Sequence, residues 1–152
     1  MGLDMYLNKR TYVKNWDFQK PEEKHEVIVK KGGEVLDTIK PERITYIEEE
    51  IGYWRKANAI HNWFVKNVQG GVDECQRSYV SLEKLKELLE VVEKVLADNS
   101  LASTLLPTQS GFFFGPTHYD EWYFKDLEDT KVILEDALTS KPVSSIYYQS
   151  SW

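Results

Sequence analysis

Residues 44–71 read ITYIEEEIGYWRKANAIHNWFVKNVQGG, and this stretch decides the fold class. It holds two periods at once. Ile44, Ile47, Ile51 and Trp54 stand three and four apart, the spacing of a helix face. Ile44-Thr45-Tyr46-Ile47, however, is a β-branched and aromatic run that suits a pleated, half-buried strand. Composition decides for a short strand at 44–47, followed by a helix from about Gly52 to Val68. Gln69-Gly70-Gly71 ends that helix, since glycine takes the left-handed conformation that closes a helix C-terminus without a Cβ clash.

Toward the N-terminus, Leu3, Met5 and Leu7 alternate with Asp4, Tyr6 and Asn8, the period of a strand with one buried face. Residues 14–24 are polar and read as a loop. His25–Lys31 and Glu34–Lys40 flank Gly32-Gly33, a tight hairpin turn with positive φ. Toward the C-terminus, Ser81 is placed to cap a second helix whose apolar stripe is Leu82, Leu85, Leu89, Val92 and Leu96. A third helix follows Pro116-Thr117, with Asp120 and Glu121 in its first turn and Tyr123, Leu127, Leu134 and Leu138 on its buried side. Ile146-Tyr147-Tyr148 reads as a closing strand. The sum is one small α+β domain over residues 1–152, a mostly antiparallel sheet with about three helices packed on it.

Composition narrows the function classes. Hydrophobic residues make up 41% of the 152 and aromatics 13%, enough for one core with flat aromatic surface to spare. The single cysteine, Cys75, excludes an internal disulfide framework and points to a reducing, cytoplasmic setting. Its neighbours Asp73 and Glu74 suppress thiolate chemistry. No run of 18 apolar residues is present to span a membrane, and the N-terminus lacks a secretory pattern. Tyr6 stands where a myristoylation site needs Ser or Thr. Net charge is −6, and residues 71–136 hold 6 basic against 14 acidic side chains. Such a surface repels phosphate backbones, so direct nucleic-acid binding is not expected.

Two segments mix directed polar groups with large aromatics. On the expected helix, Trp54, Asn58, His61 and Val65 share one face, with Arg55 and Asn62 beside it and Trp63 next in line. The second segment runs from Leu106 to Gly115, where Gln109 and Ser110 precede Gly111-Phe112-Phe113-Phe114-Gly115. Polar groups among aromatics are the usual lining of a small-ligand pocket. A core helix whose Asn58 and His61 satisfy buried backbone, and a loop that plugs the core, are the structural alternatives. If both segments serve a ligand they converge on one pocket, with Arg55 and Gln109 on its walls. Hydrolase, zinc-protease and thiol-redox motifs are absent, and His25, His61 and His118 are far apart, so no catalytic residue, metal or cofactor is assigned. Glu48-Glu49-Glu50 reads as a solvated run.

MGLDMYL at 1–7, YWRKANAIHNWFV at 53–65, LLPTQSGFFFG at 105–115, YDEWY at 119–123 and SSW at 150–152 together resemble a family of small phage and prophage proteins of unassigned function. The resemblance implies a phage-type accessory protein of the host cytoplasm. Residues from about Asn15 to Lys40 carry none of it, so function is not placed there. The expectation is that Trp54, Arg55, Asn58, His61, Trp63, Gln109, Ser110, Phe112, Phe113 and Phe114 bind a small polar, nucleotide-like ligand, in a counter-defence role by sequestration. Two alternatives stay open: inhibition of a host protein through the acidic 71–136 surface, and an enzyme acting on a nucleotide or modified side chain with His61 as general base. A homo-oligomer is compatible with each.

Overall fold

A computed structural model describes residues 2–152; Met1, the first letter of the N-terminal motif, lies outside the described residues. In chain order the elements are β1 (Asp4–Tyr12), β2 (Lys30–Lys31), β3 (Glu34–Val35), β4 (Tyr46–Arg55), α1 (Asn58–Asn67), β5 (Ser78–Val80), α2 (Leu82–Ala97), α3 (Ala102–Leu105), α4 (Glu121–Ala137) and β6 (Ser144–Ser151). The main sheet runs β4-β1-β6-β5 with every pair antiparallel, and β2 and β3 form a separate two-stranded ribbon. This is an α+β domain. No helix among the described residues is long and apolar enough to cross a membrane.

The alternation at the N-terminus has its structural counterpart in β1, which pairs on both sides. Leu3, Met5 and Leu7 are fully buried under the helices, while Asp4 and Tyr6 face the other way. Trp54 of β4, Tyr148 and Ile146 of β6 and Val80 of β5 join that inner face. The outer face carries cross-strand tyrosine pairs, Tyr6 with Tyr53, Tyr12 with Tyr46 and Tyr79 with Tyr147. Such pairs stabilise a solvated sheet face.

The expected helix from Gly52 is corrected: the strand continues to Arg55, and α1 begins only at Asn58. The register explains why the spacing misled. Leu7 pairs with Gly52 and Asn8 with Glu50, so Ile51 is an extra residue on β4. A bulge inserted into a period of two produces a local spacing of three, and Ile47, Ile51 and Trp54 then imitate a helix. Glycine at 52 is required by packing, since a Cβ there would stand 2.5 Å from Cγ2 of Ile133 on α4.

Smaller corrections follow from the helices. Ser81 caps α2 by accepting a hydrogen bond from the Lys84 amide, but the buried stripe is Leu85, Leu88, Val92 and Val95. Leu82 is exposed, and Leu89 and Leu96 are only half-buried. On α4, Asp120 is the cap itself, accepting from the Trp122 and Tyr123 amides, and Ala137 takes the buried place expected of Leu138. The short α3 adds a fourth helix. The hairpin at Gly32-Gly33 forms with both glycines at positive φ, but only two residues a side pair.

Candidate functional site

The geometry starts from Asn58 at the first turn of α1. Its Nδ2 donates to the carbonyls of Phe114 at 3.0 Å and Pro116 at 2.9 Å, and its Oδ1 accepts from the Gln109 amide at 3.0 Å. Three of the four hydrogen bonds an asparagine side chain can make are thus spent on one loop. Tyr123 donates to the Leu106 carbonyl at 2.7 Å, and the Leu3 amide donates to the Phe113 carbonyl at 3.0 Å. These bonds fix residues 106–116 against α1, α4 and the residue that precedes β1. Gly111 is needed inside the loop because a Cβ there would meet the Phe114 ring at 2.7 Å.

Fixed in this way, the loop and α1 bound a groove of about 570 Å³. His61, Asp73 and Phe114 line it, as do Gln109 and Ser110, with Phe112, Phe113 and Trp152 as further aromatic lining and Asn62, Val65 and Lys66 contributed by α1. The three phenylalanines have different roles. Phe114 is buried and meets His61 edge-on at 5.2 Å, Phe113 is half-buried, and Phe112 is 95% exposed. Phe112 meets Phe113 edge-on at 4.8 Å and otherwise presents its ring to solvent at the groove.

His61 is the buried anchor of the groove. Its Nε2 lies 2.9 Å from Oδ2 of Asp73 and its Nδ1 2.6 Å from the Tyr148 hydroxyl. A carboxylate only accepts, so Nε2 carries the proton and donates to Asp73. Nδ1 faces the Tyr148 hydroxyl, whose own proton is held because burial, reinforced by the charge of Asp73, pushes the phenol well above its ordinary range. Trp152 donates from Nε1 to the other Asp73 oxygen at 3.0 Å. Both imidazole nitrogens are therefore occupied, which leaves His61 no free base position in this arrangement.

The structure brings His61, Gln109, Ser110, Phe112, Phe113 and Phe114 to this groove and takes four expected residues elsewhere. Trp54 sits in β4 with its indole buried and donating to Thr130 at 2.8 Å. Trp63 is buried in the core against Phe64. Asn58 is the loop clamp just described. Arg55 points to the outer sheet face, paired with Asp4 at 3.1 Å. The expected pairing of Arg55 and Gln109 on one pocket is corrected: Arg55 lines a separate cavity of about 280 Å³, and the two share none. The cause is again the strand, whose alternation sends Trp54 inward and Arg55 outward.

That smaller cavity also holds Asp126, whose carboxyl is pushed up to about 6, chiefly by burial and then by the neighbouring Asp129. Asp73 and Trp152 are groove residues that sequence reasoning missed. Trp152 stands in the Ser150-Ser151-Trp152 motif and Asp73 near Cys75, but the hydrogen bond that joins them closes over 79 residues of chain. Among the described residues, no group of three His, Cys, Asp or Glu is placed to hold a metal ion.

No known protein family, curated protein or solved structure matches the chain.

Proposed function

We propose that the protein binds a small, flat, polar ligand of nucleoside type in the groove between α1 and the 106–116 loop. The observation that carries this reading is Phe112, 95% exposed on a loop whose backbone is held by Asn58, Tyr123 and the Leu3 amide. A ring of that kind offers a stacking surface to a base, worth roughly 1–3 kcal/mol per base. The Gln109 and Ser110 side chains supply donors and acceptors at the rim. With Arg55 directed to another face, the groove has Lys66 as its only lysine or arginine among the described residues, so the base and sugar provide the contacts and polyphosphate does not. In a phage-type accessory protein such a groove would act by sequestration of a host metabolite or signal, without a chemical step.

Thermal-shift measurement against nucleosides and nucleotides tests this. Ligand at 100 times its Kd adds about 2.7 kcal/mol of stability, and Phe112→Ala removes that gain. A panel without effect, or a Phe112→Ala protein that binds as well as the parent, contradicts the proposal.

A protein-partner role is the second reading. The observation favouring it is the outer sheet face, where Tyr46, Tyr53 and Tyr79 are exposed and Arg10 and Arg77 stack on Tyr46 and Tyr147 at 3.8 and 4.3 Å. Tyrosine and arginine are the residues that interface centres favour. On this reading a partner would meet the sheet and not the acidic helices.

A further inference from the structure

We propose that the groove selects the cationic form of its flat ligand, with Asp73 as the counter-charge; this rests on the groove being the ligand site. Aromatic rings in the lining stand across one another. Phe112 and Phe113 lie 4.8 Å apart at 87°, and Phe114 and Trp152 lie 6.4 Å apart at 69°. Rings set at 87° and 69° present both faces and edges to a group lying in the groove. The negative face of a π-system attracts a cation, more so where water is displaced.

The acid in that lining is held in position. Asp73 accepts from His61 at one oxygen and from Trp152 at the other, so the carboxylate is oriented before any ligand arrives. Its side chain keeps 26% of its surface open, and a carboxylate has about four acceptor sites of which these partners use two. A neutral ring gains a stack from this lining, whereas a positively charged ring gains the stack, the ring quadrupoles and the carboxylate together. The net charge of −6 adds a field that draws cations toward the protein and repels phosphates. Lys66 opposes this at the rim, but it is exposed at the end of α1 and its flexible stem lets the ammonium stay in water.

Two isomeric nucleosides separate charge from shape. At neutral pH 1-methyladenosine is protonated and N6-methyladenosine is not, though both contain the same atoms apart from that proton. By isothermal titration calorimetry the unmodified protein should bind 1-methyladenosine at least tenfold more tightly. Asp73→Asn, which keeps the shape and an oxygen acceptor, should bring the two affinities within about twofold of each other. Equal affinities in the unmodified protein overturn the charge selection while leaving the groove as a nucleoside site. Retention of the tenfold ratio in Asp73→Asn overturns the role of Asp73. Binding of neither isomer overturns both this inference and the proposed function.

Discussion

The loop 106–116 and the arm 14–45 are both long, irregular connections, and they are built in opposite ways. The loop is tied to the body by Asn58, Tyr123 and the Leu3 amide, and it buries Leu106 and Phe114. The arm has no buried residue, although Phe18 at 84% exposure, Val35 and Ile28 carry large apolar surface. Its hydrogen bonds are mostly local, such as Asn15 with His25 and Trp16 with Gln19. An irregular segment becomes part of a binding surface when side chains of a regular element satisfy its backbone. Length and aromatic content alone do not do this, because ordering each residue costs about 1–2 kcal/mol of backbone entropy that must be offset by contacts.

Removing the clamp should have the largest effect. Asn58→Ala leaves two carbonyls and one amide without their partner, and urea unfolding should show a loss of about 3 kcal/mol. A loss below about 1 kcal/mol would mean that the loop holds itself. Gly111→Ala comes next, at about 1–3 kcal/mol, because the added methyl forces the Phe114 ring to move. The same substitution at Gly32, where nothing lies within 4 Å of a Cβ, meets only the strain of positive φ.

The arm supplies the contrast. Replacing residues 16–43 by a short glycine linker should change stability by less than about 1 kcal/mol, since loop-closure entropy varies slowly with length. The ends suit a short connection because Tyr12 pairs with Tyr46 and the Val13 amide donates to the Thr45 carbonyl at 2.9 Å. A large loss on this deletion would show that the arm, like the loop, is integral to the domain.

A pH-dependent effect is expected beside the loop, at Asp126. Its carboxyl is raised in the folded chain to about 6 by burial, so the folded state binds the proton more tightly than the unfolded state does. Stability from this group is therefore lost as pH rises from the ordinary carboxylate range through about 6, and ionisation is complete above it. Asp126→Asn should raise the melting temperature at pH 7, with the gain fading toward pH 4. A gain independent of pH would assign the effect to packing.

Much of the body is legible in the chain. The alternation at Leu3, Met5 and Leu7 shows because only one face of β1 is buried, and Ser81 shows because its cap partner is three residues away. What is illegible depends on distant partners. Gly52 looks like the start of a helix until Ile133 is seen packed on it from α4. Asn58 looks like a ligand donor until its bonds to Gln109, Phe114 and Pro116 are traced across more than fifty residues. Phe112 to Phe114 form a visible motif, but only the structure separates the exposed ring from the buried one.

Titration of the isotope-labelled protein with 1-methyladenosine, read as amide and indole shifts in nuclear magnetic resonance spectra, tests the groove most directly. The account predicts that shifts gather at the Trp152 indole N–H and at the amides of Gln109, Ser110, Phe112 and Asp73. The amides of residues 16–43 and the Trp63 indole should stay in place. Shifts confined to the arm or to the tyrosines of the outer sheet face, with the Trp152 indole unmoved, would contradict it.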